Sequence, residues 1–183
     1  MKLEALEQEK YYHIYNRGIN GNTIFFSNDN KSYFLSKLKK YLENKVEILA
    51  YCLLSNHFHL IVKIITKPSI ATQSFSNLFN AYAKAINKQQ KRTGSLFEKH
   101  FKRIELKNEK YLQNLILYVH LNPMKHFNID FESYKYSSYP SILSDKPTTL
   151  KRNDVLQLFD GKENFKYVHQ QKELEIEEKF KLE

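Results

Sequence analysis

The sequence predicts an α+β fold of the ferredoxin-like type, a central antiparallel sheet built in the order βαββαβ and backed by two helices. Segments rich in β-branched and aromatic residues alternate in this order with segments whose apolar residues recur at helical spacing. The chain has 183 residues, which is enough for one such domain with an appended segment. A further helix and a C-terminal extension are predicted after the fourth strand.

The first half of the chain supplies one strand, one helix and two strands. Residues 11–19 are rich in β-forming residues and predict the first strand. A helix follows between the N-cap candidates at 27–30 and about Asn44, because apolar residues recur there every three to four positions. Residues 46–54 and 58–65 predict two strands joined by a tight connection.

The second half adds a helix, a strand and another helix. The helix begins after Pro68 and is expected to stop at Thr93-Gly94. Residues 101–106 predict the fourth strand, in which apolar and basic residues alternate. Asn108 can cap the next helix, which we expect Pro123 to end because proline lacks a backbone donor.

We divide the chain into a domain at 1–144 and a C-terminal extension at 145–183, helical or partly disordered. Residues 153–159 predict a short helix within this extension. The segment 173–181 is strongly charged and is expected to form a solvated helix or to be disordered.

The charge of the chain predicts a polyanionic partner. Lysine and arginine number 29 against 20 acidic residues, a net charge of +9. Between positions 84 and 110 there are nine basic residues against three glutamates, so +6 of this excess lies in 27 residues. Such a run is often only a solvated face, but this one spans a helix, a turn and a strand, which favours a track for a phosphate backbone. The candidate residues for contacts to such a polyanion, with DNA as the partner that the resemblance below implies, are Arg17, Lys84, Lys88, Lys91, Arg92, Lys99, Lys102 and Arg103.

A single cysteine, Cys52, excludes an internal disulfide and a multi-cysteine zinc site within one chain. A reducing, cytoplasmic location is the expectation that follows. The sequence contains no apolar run long enough to cross a bilayer, and its first residues lack the apolar core of a signal peptide. We therefore expect a soluble protein without a membrane partner.

Two histidines interrupt the apolar third strand. Side chains alternate across a strand, so His57 and His59 should project from the same face, within reach of one divalent ion. In the predicted topology this strand is central, and the histidines lie on the open face of the sheet, which no helix covers. Two ordinary histidines on a half-exposed strand are the alternative, because short patterns often arise by chance.

A tyrosine and an asparagine follow on the helix after the fourth strand. Asn122 lies four residues beyond Tyr118, so the two side chains project from the same side of that helix. A metal held by two imidazoles and an amide oxygen could polarise a phosphodiester that the phenol attacks. Tyr118 could equally be a core aromatic, and Asn122 a plain helix-terminal residue before proline.

Five ordered motifs between His13 and Tyr139 resemble those of a known family. They are HIYNRG at 13–18, AYCLLSNHFHLIV at 50–62, AYAKAINKQQKRTGSLFEKHFKR at 81–103, YLQNLILYVHLNPMK at 111–125 and YSSY at 136–139. The chain thereby resembles the single-tyrosine HUH transposases, and within them the REP-associated tyrosine transposases. Two departures are Ser55, where proline is common, and YSSY in place of a common WSSY.

The resemblance implies a function and roles for four residues. Such enzymes cleave and rejoin single-stranded DNA, usually near a hairpin, through a covalent 5′-phosphotyrosine, and they act as monomers or homodimers. It assigns Tyr118 as the nucleophile, His57 and His59 as ligands of Mg²⁺ or Mn²⁺, and Asn122 as a third ligand. No P-loop motif is present, which agrees with transesterification that needs no ATP.

Two other functions compete with this hypothesis. A non-catalytic nucleic-acid-binding module of ferredoxin-like fold would bind DNA or RNA without forming an adduct. A metal-dependent phosphoesterase that uses water would cleave without Tyr118. A covalent DNA adduct that requires Tyr118 separates the strand transferase from both.

Overall fold

Four strands form one antiparallel sheet in the computed structural model, which describes residues 4–171. They are β1 (Tyr11–Arg17), β2 (Val46–Leu53), β3 (His57–Ile64) and β4 (Lys102–Glu105), and their order across the sheet is β2-β3-β1-β4. Because β1 and β3 are the two central strands, the predicted ferredoxin-like topology is confirmed.

Helices α1 (Asn28–Leu42) and α2 (Pro68–Gln89) cover one face of the sheet. The side chain of Ser27 caps α1 by accepting a hydrogen bond from the backbone N–H of Asn30, and Pro68 opens α2 at the position that tolerates proline best. The core between these helices and the sheet is largely aromatic and includes Tyr12, Phe34, Phe58, Phe75, Phe79 and Tyr82.

The opposite face of the sheet is covered by α3 (Glu109–Phe127), together with α4 (Tyr139–Leu143), α5 (Arg152–Leu158) and α6 (Lys162–Gln171). Leu115, Ile116 and Val119 of α3 pack with Ile61 of β3 in a second core. The expectation that helices leave the histidine face uncovered is therefore wrong. The apolar side of α3 has to be buried against an apolar surface, and this face of the sheet provides one.

Helix α3 also continues past Pro123, where the sequence predicted its end. A proline removes a single backbone donor, and here the helix continues until Asn128 adopts a left-handed conformation with φ 52°. The backbone N–H of Asn128 donates to the carbonyl of Met124 at 2.9 Å. The extra turn carries Lys125 and His126.

A buried chain of hydrogen bonds fastens α6 to α3. His169 Nδ1 lies 2.7 Å from the carbonyl oxygen of Phe165, which can only accept, so Nε2 of this ring accepts in turn from His120 Nδ1 at 2.9 Å. His120 Nε2 then accepts from Ser138 Oγ at 2.7 Å, and Ser138 Oγ accepts from the backbone N–H of Tyr51 at 2.9 Å. Every ring nitrogen is paired, so the cluster is structural.

The described part of the C-terminal extension is not a loose appendage. Val155, Phe159 and Phe165 lie in the second core beside residues of α3. The segment 173–181, expected to be a solvated helix or disordered, lies outside the described residues. Between residues 4 and 171, no helix combines the length and the apolar character that a membrane span needs.

The histidine chain predicts a loss of stability in acid. Burial lowers the pKa of His169 to about 4 and holds that of His120 well below its usual value. The unfolded chain, with a histidine pKa near about 6.5, therefore binds more protons below that pH than the folded one does. We expect the free energy of unfolding to fall by about 1.4 kcal/mol per pH unit for each such histidine between pH 6.5 and 4.

Urea denaturation at several pH values measures this slope. His169→Gln should reduce it by about 1.4 kcal/mol per pH unit, because one titrating group is gone. Tyr167→Gln, at an exposed position of the same helix, should leave the slope unchanged. An equal slope in His169→Gln and the unmodified protein would contradict neutral burial of this ring.

Candidate metal and tyrosine site

The strand register places both predicted histidines on the face of β3 that α3 covers. Arg17 stands opposite His57 and Tyr15 opposite His59 across the β1–β3 pair. The two imidazole rings lie 5.1 Å apart between centroids at an angle of 82°. Two imidazoles that share one cation have centroids about 5 Å apart, given metal–nitrogen bonds of about 2.1 Å. The separation therefore suits a shared ion.

Hydrogen bonds at Nδ1 orient both rings. His57 Nδ1 lies 2.7 Å from Asn56 Oδ1, and because an amide oxygen only accepts, Nδ1 carries the proton and Nε2 carries the lone pair. His59 Nδ1 lies 2.9 Å from His13 Nε2. His59 Nε2 is buried and has no hydrogen-bond partner among the described residues. Both rings are thus oriented through Nδ1, which leaves Nε2 of each ring as the candidate donor atom for an ion.

Asn122 has a buried side-chain amide one turn beyond Tyr118 on α3. Its Nδ2 donates to the carbonyl oxygen of Tyr118 at 2.8 Å, which fixes the amide. Its Oδ1 is buried without a hydrogen-bond partner in the described chain. Within residues 4–171 no three His, Cys, Asp or Glu side chains are grouped so as to hold a metal, so the candidate protein donors here are the two imidazoles and this amide oxygen. Imidazole nitrogen favours transition metals and an amide oxygen suits hard ions such as Mn²⁺ and Mg²⁺, so this mixed donor set fits Mn²⁺ better than Mg²⁺.

Tyr118 packs beside this pair of imidazoles. Its ring lies 5.7 Å from that of His59, edge to face, and the Lys125 ammonium lies 5.8 Å from the tyrosine ring centroid. The side chain is only 3% exposed. The last turn of α3, with Lys125 and His126 exposed, forms the solvent side of this cluster. The phenol thus lies next to the candidate metal ligands, in a place with little access for water.

Burial keeps His13 and His59 neutral by lowering the pKa of each ring. It lowers the pKa of His13 to about 3. The pKa of His59 lies well below its usual value, first because of burial and then because His13, His57 and His126 are nearby. A metal ion binds the neutral form of histidine. These rings are already neutral at neutral pH, so they can bind an ion without first losing a proton.

Three residues near the site were not predicted from the sequence. His13 hydrogen bonds to His59, His126 lies 5.2 Å from the ring of His57, and Lys125 lies over Tyr118. Alternation along β1 puts His13, Tyr15 and Arg17 on one face, but the sequence does not show which face of β3 they meet. Lys125 and His126 were missed because α3 was expected to end before them.

The predicted basic residues divide between the two faces of the sheet. Lys102 stands opposite Tyr15, and Arg17 opposite His57, so both lie on the histidine face, where Arg17 pairs with Glu98 at 2.6 Å. On the other face, a groove of about 530 Å³ between α2 and the segment before β4 is lined by Lys84, Lys99 and Arg103, among others. The remaining three, Lys88, Lys91 and Arg92, lie at or just beyond the end of α2.

Comparison with solved structures yields a match to a REP-associated tyrosine transposase bound to a REP hairpin. The TM-score is 0.67 at 13% sequence identity, and the match covers 80% of this chain and 88% of the other. The two chains share one fold. The match supports the resemblance that the motifs indicate.

A second match, with a TM-score of 0.45 and 11% identity, is to a bacterial tRNA(His) guanylyltransferase (Thg1)-like protein in complex with ATP. It covers 84% of this chain and 70% of the other. No protein-family model matches the chain, and no curated protein does either.

The donor geometry predicts stabilisation by a divalent cation. An ion that binds only the folded protein adds about 2.7 kcal/mol at a concentration one hundred times its dissociation constant. We expect Mn²⁺ to raise the melting temperature of the protein, and His59→Ala to abolish the increase because one ligand is lost. Thermal unfolding of each protein with and without Mn²⁺ gives the change in its melting temperature that the metal causes.

His100→Ala is the matched control, because His100 is exposed and lines the groove on the opposite face of the sheet. It should keep the full increase in melting temperature. An increase that survives in His59→Ala would remove this histidine from the metal site.

Proposed function

We propose that this protein is a metal-dependent transposase that nicks and rejoins single-stranded DNA through a covalent 5′-phosphotyrosine at Tyr118. The contact between Tyr118 and His59 carries the proposal, because it puts a nucleophilic side chain beside buried ligand atoms. A nucleophile that stands next to a Lewis acid is the arrangement that phosphoryl transfer to a tyrosine requires.

His57, His59 and Asn122 would hold the cation, and the cation when bound would withdraw electron density from the scissile phosphate. Tyr118 Oη forms a bond to phosphorus while the bond from phosphorus to the 3′ oxygen breaks. The phenol loses its proton, and the departing 3′ oxygen gains one. One phosphodiester replaces another, so a second 3′-OH can reverse the step and join a new strand.

The burial of Tyr118 would protect the covalent intermediate from hydrolysis, which keeps the reaction reversible. A side chain that is 3% exposed is shielded by α3 and the sheet, which limits access of water to a phosphotyrosine. Lys125, with its ammonium over the Tyr118 ring, is placed to contact a phosphate that reaches the phenol. The competing 3′-OH, brought by the bound DNA, is then favoured over hydrolysis.

The basic residues support a single strand or a hairpin as the substrate. β4 is an edge strand, with Lys102 on the histidine face and Arg103 on the groove face. A DNA strand that passes around this edge of the sheet would contact both faces, and would therefore run from the groove to the site at Tyr118. The transposase structure that shares this fold was determined with a REP hairpin, which favours hairpin-bearing DNA here.

The low exposure of Tyr118 is also the observation that favours a non-catalytic binding module. A core tyrosine beside two buried histidines would leave DNA binding intact and yield no adduct. The reaction with a labelled substrate distinguishes the two functions.

Tyr118→Phe should abolish a covalent protein–DNA adduct. With Mn²⁺ and an end-labelled hairpin bearing single-stranded flanks, the unmodified protein should give a band of retarded mobility in a denaturing gel, and mass spectrometry should locate the DNA on Tyr118. Loss of the nucleophile should reduce the adduct by roughly 10³-fold or more.

Tyr111→Phe is the control, since Tyr111 lies two turns earlier on the same helix. It should retain the adduct. DNA binding without an adduct in the unmodified protein would support the binding module, and cleavage that persists in Tyr118→Phe would support a phosphoesterase that uses water.

The groove predicts salt-dependent DNA binding. Each phosphate contact to single-stranded DNA contributes about 0.7 to the slope of log K against log salt concentration. Replacing the exposed groove lysines, Lys84→Gln and Lys99→Gln together, should therefore reduce the magnitude of this slope by about 1.4. Fluorescence anisotropy at several salt concentrations measures it.

The control is the pair Lys39→Gln and Lys40→Gln, at exposed positions in the last turn of α1. This pair should leave the slope close to that of the unmodified protein. Equal reductions in the two double variants would show that the groove has no special role and that net charge alone governs binding.

A further inference from the structure

His13 is a buried ring that neither the motifs nor the comparison assigns to the site. It is fully enclosed, and its ring centroid lies 4.6 Å from that of Tyr15 and 5.0 Å from that of His59. Its Nε2 lies 2.9 Å from His59 Nδ1, and its Nδ1 has no hydrogen-bond partner among the described residues. Buried polar atoms without partners are rare in folded proteins, so a ring held in this way calls for an explanation.

The hydrogen bond between the two rings holds a single proton, and its position decides which nitrogen of His59 can bind a metal. If His13 Nε2 carries the proton, neutral His59 accepts at Nδ1 and must carry its own proton on Nε2, which then has no lone pair for an ion. If His59 Nδ1 carries the proton, Nε2 has the lone pair and His13 accepts. Only the second arrangement is compatible with a metal on His59 Nε2.

We propose that His13 is a positioning residue for the metal site, which accepts the Nδ1 proton of His59 and thereby presents the Nε2 lone pair to the cation. This inference rests on the proposed function, because it concerns the same metal. A ligand histidine commonly donates its second N–H to an oxygen acceptor, which orients the ring and increases its basicity. Here the neutral imidazole of His13, on the neighbouring strand β1, is the acceptor instead of an oxygen atom.

The stack adds an orientation that a hydrogen bond alone does not give. Tyr15 stands opposite His59 in the β1–β3 register, and the rings of Tyr15, His13 and His59 are inclined to one another by only 21° to 29°. Rotation of the His59 ring would break both the stack and the 2.9 Å contact. His13 therefore fixes the direction of Nε2 as well as the tautomer.

The test measures metal affinity without DNA. His13→Phe keeps an aromatic ring in the stack and removes the acceptor, and should weaken Mn²⁺ binding by roughly 10- to 100-fold in isothermal titration calorimetry. His13→Gln offers an oxygen near the position of Nε2 and should restore the affinity to within about threefold of the unmodified protein. His100→Ala, at an exposed position on the opposite face of the sheet, is the control and should bind Mn²⁺ normally.

Nitrogen-15 NMR of the unmodified protein loaded with Mg²⁺ provides a measurement that does not depend on the folding of any variant. It should show a protonated Nδ1 on His59 and an unprotonated Nε2 on His13. The reverse assignment would overturn the proposal, and so would equal Mn²⁺ affinity in His13→Phe and the unmodified protein.

The outcomes separate this inference from the proposed function. An unmodified protein that binds Mn²⁺ and forms the tyrosine adduct, with His13→Phe unchanged in affinity, refutes the role of His13 alone. An unmodified protein that does not bind Mn²⁺ refutes both. In a third outcome, the Mn²⁺ affinities of the unmodified protein, His13→Gln and His13→Phe follow the predicted order, but the unmodified protein forms no adduct on a DNA that it binds. This outcome refutes the transferase and leaves His13 in its role of orienting a metal ligand.

Discussion

The antiparallel pairing of β1 with β3 is the constraint on which the rest of the site depends. Its register fixes which side chains share a face, since a slip by one residue would turn every side chain of a strand to the other side. In the observed register Phe58, Leu60 and Val62 enter the aromatic core beneath α1 and α2. The alternate positions of the same strand, which include His57 and His59, then have to face α3.

That requirement gives β3 two different surfaces, both buried. One is an aliphatic and aromatic surface whose contribution to stability is non-directional. The other carries imidazoles, whose burial is tolerated because each ring has at least one hydrogen bond, to Asn56 or to His13. A polar cluster of this kind is costly to leave incomplete, and the proposed cation would pair two of its buried atoms without hydrogen-bond partners in the described chain, His59 Nε2 and Asn122 Oδ1.

Helix α3 joins the site to the C-terminal part of the chain. Tyr118 contacts His59, whereas His120, on another side of the same helix, holds His169 of α6 through a hydrogen bond. The position of the tyrosine therefore depends on packing contributed by residues beyond 144. Fold similarity to a solved transposase at 13% identity shows how little of this architecture requires particular residues at most positions.

The sequence by itself determined the βαββαβ order and the helix capped by Asn108, and it predicted that His57 and His59 share a face. These features follow from local periodicity, capping and alternation, which act over a few neighbouring residues. Only the tertiary structure decided that α3 covers the histidines, that it continues past Pro123 and that His13 contacts His59. Those outcomes depend on contacts between residues far apart in the chain, such as His13 and His59, 46 positions apart, and no local pattern encodes which surfaces meet.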